Sequence, residues 1–361
     1  MTSSRPRAKV VGLGLIGSSV ALALRSSGWR VSGSDLDPAR YRRALELGAV
    51  EAADDDDDED VSLVVVATPV AAIPGVATAA LKARGGEDGL VVTDVGGVKS
   101  QVVAAVDDRR FVGGHPMAGS EQEGPDGASA DMFVGATWVL TPTPATDPDA
   151  YRKVRAVVTS LGADVVELAP ERHDALVAIV SHLPHLTAAN LMSLAADASE
   201  EHAVLLRLAA GGFRDMTRVA AGDPAIWPDI FRDNADAVLA ALDDLRARLD
   251  EARRILVQQD REALVSLLER ARRARRNLPP RHPRPDLVVE CRVPVPDRPG
   301  VLAEVTTLLG EAGVNIRDVE IAHSAEGDRG VLVLVVDADA AERARAVLGA
   351  RGFRPALSRL S

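Results

Sequence analysis

The apolar positions of the chain change their period twice. Through residue 170, short Val-rich runs alternate with helix-like stretches, and residues 9–13, 30–34, 63–68, 90–93, 111–114, 137–140 and 164–168 read as strands. Several of these runs are continuously apolar, the mark of strands covered on both faces by helices. Strand–helix alternation predicts a doubly wound α/β domain over residues 1–170. From Glu171 the period lengthens. Segments 172–198, 200–210, 228–258 and 261–276 read as helices with no strand among them, which predicts an all-helical domain over 171–278. Within it Val238, Leu239, Leu242, Leu245 and Leu249 form a stripe at three- and four-residue spacing. That stripe needs cover, from its own domain or across a dimer axis. Four prolines then crowd into residues 277–285; none can sit in a helix interior or a central strand, so 279–286 is expected to be a linker. Residues 287–361 read strand, helix, strand, strand, helix, a small α+β module.

Composition narrows the chemistry. A net charge of -11 argues against nucleic acid, whose phosphates need a basic face. With Cys291 as its single cysteine, the chain has no internal disulfide and no Cys-rich metal set; no metal is expected, and a cytoplasmic location is. Arg5, Arg7 and Lys9 precede an uncharged stretch, 10–24, that superficially resembles a signal peptide. Its glycine spacing and its continuation into another strand argue against that reading. No other segment is expected to reach the roughly 18 apolar residues of a membrane span. The acidic run 54–60 reads as a solvated loop, and the arginines of 270–276 complement the negative end of a helix dipole.

The glycine spacing carries the first functional signal. Gly12, Gly14 and Gly17 in Val10-Val-Gly-Leu-Gly-Leu-Ile-Gly17 follow a strand and open a helix. Gly12 permits the tight turn, Gly14 lets a pyrophosphate reach the backbone, Gly17 lets helix and strand pack closely, and Leu15 and Ile16 begin the helix. The next strand ends at Asp35, an acid placed to bind both ribose hydroxyls and repel a 2′-phosphate, so NAD is favoured over NADP. Thr68 and Pro69 fall at a later strand end on the nicotinamide side. A Rossmann-type sheet binding NAD is the expectation; glycine-rich packing beside a surface acid is the plainer alternative.

Three further motifs narrow the reaction. Gly113-Gly-His-Pro-Met-Ala-Gly-Ser-Glu121 follows a strand and places His115 near the carboxyl edge of the sheet. Its imidazole suits removal of a hydroxyl proton, although a loop histidine can equally serve a structural bond. Ser181-His-Leu-Pro-His185 sits in a helical segment, where Pro184 is expected to kink the helix and free backbone groups. Gly211-Gly-Phe-Arg-Asp-Met-Thr-Arg218, followed by Asp223-Pro-Ala-Ile-Trp227, offers Arg218 as a bidentate carboxylate clamp. An arginine on a solvated helix face is its bland alternative.

In this order the motifs resemble the prephenate/arogenate dehydrogenase family over residues 8–280. The resemblance implies His115 as the catalytic histidine on the ring C4 hydroxyl and Arg218 as the substrate-carboxylate residue. It implies Ser181, His185, Gly211 and Trp227 as pocket residues, with Ser120 and Glu121 at its entrance. The implied activity is NAD-dependent oxidative decarboxylation of prephenate in tyrosine biosynthesis; the helical middle and the C-terminal module favour a homodimer or larger. Arogenate dehydrogenase is one alternative, and a catalytically silent NAD-binding amino-acid sensor is another. One departure stands out: where the family carries Asp-x-Gly-Ser-Val-Lys, this chain has Asp94-Val-Gly-Gly-Val-Lys99, so Gly97 supplies no hydroxyl beside His115. The C-terminal residues 287–361, with Asp297-Arg-Pro-Gly300 and Gly313-Val-Asn-Ile316, resemble the ACT domain. That resemblance implies amino-acid sensing, with tyrosine as effector and Asp297, Arg298, Gly300 and Asn315 as candidate contacts. A dimerisation module without a ligand is the alternative.

Overall fold

The computed structural model describes residues 5–52, 60–83, 89–119, 122, 124–202, 204–222, 224, 227–277, 288–296, 298–323 and 329–359. They fall into two compact units, 1–253 and 254–361.

The first unit is built on a seven-stranded sheet: β1 (Arg7–Val11), β2 (Arg30–Ser34), β3 (Val61–Val66), β4 (Val91–Asp94), β5 (Phe111–Pro116), β6 (Thr137–Thr141) and β7 (Asp164–Glu167). Its order is β2-β1-β3-β4-β5-β6-β7. All seven expected strands are present. Helices α1 (Leu15–Ser26) and α5 (Pro148–Ser160) cover one face, where Val20, Leu24, Val154 and Val158 meet Val10, Leu63, Val65 and Trp138. Helix α3 (Ile73–Ala83) and the short α4 (Ser100–Ala105) cover the other, with Ile73, Leu81 and Val102 against Val64, Val66 and Val92. Helix α2 (Pro38–Glu46) starts where the Asp37 carboxylate accepts the Ala39 N–H and Pro38 needs no partner.

The sheet is not wholly parallel. β6 pairs antiparallel with β5 (Gly114 opposite Leu140), and β7 follows β6 in parallel. Parallel pairing needs a crossover element; the β5–β6 connection contains a 3₁₀ turn at Pro125–Gly127 and turns over 130–135 but no α-helix among its described residues, so β6 returns beside β5.

The helical part follows with α6 (Pro170–Val177), a π-helical turn (Ala178–His182), α7 (Leu183–Glu201), α8 (Gly211–Thr217), α9 (Trp227–Asp233) and α10 (Ala235–Gln258), which carries the chain into the second unit. The π turn lies just before Pro184 and is the local response to a proline that cannot donate back along the helix. The expectation of a helix over 200–210 is corrected: α7 ends at Glu201, and only a 3₁₀ turn, Leu205–Leu208, follows. A short helix is held mainly by tertiary packing, and Leu208 there is 73% exposed, with too little core to hold one. The expectation that no further segment reaches membrane-span length is also corrected. The helical stretch 170–200 is long enough and contains an 18-residue window apolar enough, of mean hydropathy 1.3, to cross a membrane by length and composition. The first turns of that stretch nonetheless carry buried His173, Asp174 and His182. The α10 stripe divides: Val238 and Ala241 pack on Ala178, Leu183 and Phe231, while Leu239, Leu242 and Leu249 are exposed.

The second unit contains α11 (Arg261–Arg276), capped by Asp260, and a four-stranded antiparallel sheet. Its strands are β8 (Val288–Pro296), β9 (Ile316–His323), β10 (Arg329–Asp337) and β11 (Ala356–Arg359), ordered β11-β8-β10-β9. Helices α12 (Val301–Glu311) and α13 (Ala341–Ala350) cover one face, burying Val305, Leu309, Ala344 and Leu348 against Cys291, Val293, Leu332 and Leu334. The sequence pattern missed β11, a four-residue strand completed by pairing with β8.

Candidate active site

The glycine loop fits a dinucleotide. A Cβ on Gly12, whose φ is +96°, would lie 2.4 Å from the Ala67 carbonyl oxygen, and one on Gly17 would lie 1.9 Å from the Gly12 carbonyl. The loop is therefore pressed onto the end of β3 in a way only glycine permits. Gly14 caps α1 without a side-chain partner, and nothing lies within 4 Å of its Cβ position. The N–H groups of Leu15, Ile16 and Gly17 have no intrahelical carbonyl to bond, the arrangement that receives phosphate. Asp35 is held against this loop: Oδ2 accepts the Leu13 N–H at 2.6 Å and Oδ1 accepts the Asp37 N–H at 2.8 Å. Past β3, the Thr68 hydroxyl is buried without a hydrogen-bond partner, and exposed Pro69 follows it. An orphaned hydroxyl, an uncapped helix start and a fixed acid are what a bound nicotinamide dinucleotide would complete.

His115 projects from the end of β5 into a polar network buried between the sheet and α6. Its Nδ1 lies 2.9 Å from His173 Nε2, and His173 Nδ1 lies 2.7 Å from Asp174 Oδ1. The Asp174 carboxylate also accepts the Lys99 and Ser100 N–H groups, both at 2.8 Å. Asp94 accepts from the Gly114 N–H at 3.0 Å, the Gly96 N–H at 2.8 Å and the Lys99 ammonium. Lys99 in turn donates to the Gly114 carbonyl at 2.9 Å. Asn234 donates to the Asp174 carbonyl at 3.0 Å, and its amide lies 3.1 Å from His182 Nδ1.

Burial, then unfavourable electrostatic interaction with His173, Lys99 and His182, pushes the His115 imidazole well below its ordinary value against the pull of Asp174. His115 is therefore neutral near pH 7 and able to accept a proton. Burial would raise the Asp174 carboxyl, but the bonds from His173, Ser100 and Lys99 outweigh it and hold the group ionised. Burial also lowers His182 to about 4.

The second part of the expected pocket lies on the helices. His185, lowered by burial, stacks on Trp227 with ring centres 3.6 Å apart and planes 15° apart. His182 approaches the same indole edge-on at 6.4 Å. Ser181 sits half-buried in the π turn beside His182. Gly211 opens α8, and Arg218 opens the 3₁₀ turn Arg218–Ala221, which packs on α7. The structure thus unites His115 with His173, Asp174 and His182 in one network, and His185 with Trp227 in another. Arg218 and Gly211 lie on exposed short helices. Ser120 and Glu121 fall outside the described residues.

Comparison with known proteins decides the family. The family described as "Prephenate dehydrogenase, nucleotide-binding domain" matches residues 20–167, and "Prephenate dehydrogenase, dimerization domain" matches 169–270. A Bacillus subtilis prephenate dehydrogenase is 35% identical over 341 residues, covering 91% of this chain and 92% of that protein. The chain belongs to the prephenate dehydrogenase family.

A Zymomonas mobilis cyclohexadienyl dehydrogenase is 34% identical over 277 residues, covering 74% of this chain and 94% of that protein. An Aquifex aeolicus prephenate dehydrogenase, solved with hydroxyphenyl propionate and NAD+, superposes with TM-score 0.70 at 30% identity, covering 77% of this chain and all of that one. Synechocystis arogenate dehydrogenase superposes with TM-score 0.66 at 32% identity, covering 74% and 98%. Residues 289–352 match the ACT domain. There Gly300 has φ +84° and caps α12, Arg298 pairs with Glu304, and Asn315 is exposed ahead of β9; Asp297 lies outside the described residues.

Sequence reasoning passed over His173, Asp174 and Asn234. The only signal for the first two was a His-Asp pair in the opening turn of a helix, at Glu171-Arg-His-Asp174. At Gly97 the departure has a clear geometry: a Cβ there would lie 3.9 Å from both Cε1 and Nε2 of His115, with nothing else closer than 4 Å. The missing hydroxyl leaves open space beside the imidazole.

Proposed function

We propose that this member of the family is an NAD-dependent prephenate dehydrogenase that makes 4-hydroxyphenylpyruvate for tyrosine biosynthesis. The observation that carries the reading is His115: a neutral imidazole at the carboxyl end of β5, anchored through Nδ1, with Nε2 beside the open space at Gly97. A nicotinamide dinucleotide held by the Gly12–Gly17 loop and Asp35 would supply the hydride acceptor for the substrate ring. His115 Nε2 takes the C4 hydroxyl proton as that hydride departs, leaving a ring carbonyl. The carbonyl draws in the electrons of the C–CO₂⁻ bond, CO₂ leaves, and the resulting phenolate recovers the proton from His115. General-base help of this kind is worth roughly 10²–10⁴ in rate. Arg218 binds the substrate carboxylate, with Ser181, His185, Gly211 and Trp227 around it and Ser120 and Glu121 at the entrance. Asp35, both of whose oxygens already face the loop, favours NAD over NADP by repelling a 2′-phosphate.

Exposed Leu239, Leu242, Leu249 and Met216 support a homodimer that buries them, and the description of the matched dimerization domain agrees. The ACT domain supports tyrosine as a feedback effector, contacted by Asp297, Arg298, Gly300 and Asn315. A cytoplasmic enzyme fits a chain whose single cysteine is buried and free. Arogenate is the second substrate reading, favoured by the arogenate and cyclohexadienyl dehydrogenases among the relatives. NADH formation measured with prephenate or arogenate, NAD+ or NADP+, with and without tyrosine, tests each part. Tyrosine-sensitive turnover of prephenate with NAD+ supports all of them; turnover of arogenate alone changes the substrate; no turnover of either removes the assignment.

A further inference from the structure

We propose that His173, backed by Asp174, is a positioning residue that holds His115 in the tautomer whose Nε2 is bare and turned toward the substrate. The inference rests on the reading of His115 as the base, and it follows from counting protons along one chain of contacts.

Asp174 is the fixed end. Its Oδ1 accepts the Lys99 N–H and its Oδ2 accepts the Ser100 N–H, so the group is an ionised acceptor. The 2.7 Å contact to His173 must then be the Nδ1–H of His173 donating. A neutral imidazole has one ring proton, so His173 Nε2 has only a lone pair. Its 2.9 Å contact to His115 is a hydrogen bond only if His115 Nδ1 carries the proton and donates. The ring planes are 71° apart with centres 5.1 Å apart, an edge-on approach suited to an in-plane N–H. His115 Nε2 is left unprotonated, on the side where the Gly97 gap lies.

The competing assignment is an imidazolium at residue 173 donating to His115 Nδ1, which would leave Nε2 protonated and useless as a base. It would place a fully buried cation one ring from His115, faced only by the Asp174 carboxylate, whose oxygens already accept the Lys99 and Ser100 N–H groups. The groups facing His115 from its surroundings are Asp94 and Lys99 from the β4–α4 side, His173 and Asp174 from α6, and His182 from the π turn. Once His115 takes the hydroxyl proton, its Nδ1–H still donates to His173, and the Asp174 carboxylate lies one ring beyond to offset the new charge. This arrangement also answers the missing serine at 97. The imidazole is oriented from behind through Nδ1, so its orientation does not depend on a hydroxyl in front.

The test has two readouts. In the wild-type holoenzyme at neutral pH, 15N NMR should show His115 with a protonated Nδ1 and a bare Nε2, whether or not the protein turns over a given substrate; a protonated Nε2 there overturns the proposal. For activity, His173→Phe keeps a ring but removes both nitrogens, while His173→Gln keeps an acceptor near the Nε2 position. His173→Phe should lower kcat about 10–100-fold, the usual loss when a residue orienting a functional imidazole is removed. KM for substrate and NAD+ should stay within about twofold, since His173 touches neither, and His173→Gln should recover most of kcat. Equal loss in both variants, a rise in KM without loss of kcat, or an unaffected kcat in His173→Phe would each overturn it. Failure of turnover with every ring substrate removes the assigned reaction, while the NMR result still decides the tautomer.

Discussion

Two regions of the first unit treat their side chains in opposite ways. Between β4, β5 and α6, Asp94, Lys99 and His173 are wholly inaccessible, and each has hydrogen-bond partners inside the chain. Around the Leu205–Leu208 turn, α8 and the outer stripe of α10, apolar side chains stand in the open: Leu208 is 73% exposed, Met216 64% and Leu249 61%. A buried polar group left unpaired costs about 1–3 kcal/mol, so Asp94, Lys99 and His173 are tolerated there because their hydrogen bonds are made within the chain. An apolar face left in water loses what burial would have contributed, about 25 cal/mol per Å², and one chain does not cover it. The proposed base is therefore organised in advance within a single chain, while the apolar side chains on the helices near Arg218 are left uncovered by it.

Loss of the base should separate the regions most sharply. His115→Asn is expected to cut kcat/KM by roughly 10²–10⁴ while leaving the circular dichroism spectrum unchanged. Activity near that of the parent would sink the assignment of His115. Arg218→Ala comes next: removing one partner of a desolvated charge pair costs about 2–5 kcal/mol, expected mainly as a higher KM for substrate, with kcat less affected.

The pH dependence of stability probes the organised region without chemistry. His182 is held near 4 when folded and returns to about 6.5 when unfolded, so the unfolded chain binds the extra proton between those values. Stability should therefore be full above about pH 6.5 and fall as pH drops toward 4. The contribution at stake is about 3 kcal/mol, measurable by urea unfolding across that range. The physical cause is burial, which disfavours the imidazolium and outweighs the pull of Asp174; the Asn234 amide lies 3.1 Å from Nδ1 and can donate to it only while that nitrogen is unprotonated. A His182→Asn variant with the same slope would remove His182 as its origin.

The open region is tested by charge. Leu249→Glu should shift sedimentation toward the monomer by weakening association about 2 kcal/mol or more, with the unfolding midpoint little changed. The smallest effect is expected at Gly97→Ser. A Cβ at 97 meets only His115, at an ordinary contact distance of 3.9 Å, and a hydrogen bond to Nε2 is worth about 1 kcal/mol, so kcat should change by about fivefold or less. A much larger gain would mean that the network behind His115 orients it poorly.

The strands were legible because those buried on both faces read as nearly unbroken apolar runs: 63–68 and 90–93 are identifiable without knowing their neighbours. The glycine loop and Asp35 were legible for a local reason, since their spacing follows the turn and helix they build. The reversed direction of β6 was not read, although the stretch before Thr137 lacks the helix a parallel return would need. The helix expected over 200–210 failed because its leucines lacked a surface to pack on, and β11 escaped because four residues carry too little period. His173 was missed because helical spacing shows which residues share a face, but not what that face is laid against.

By itself, then, the sequence determined most strands of the two sheets, the dinucleotide turn and His115 and Arg218 as candidate chemistry, because each is marked by neighbours a few residues away. Tertiary structure alone decided how His115 is held. Its partner lies 58 residues on and the carboxylate behind that another residue beyond, and only the docking of α6 against the loop after β4 brings them within hydrogen-bonding distance. The strength and direction of hydrogen bonds depend on tenths of an ångström and on which nitrogen faces which, and no periodicity along a chain carries that information.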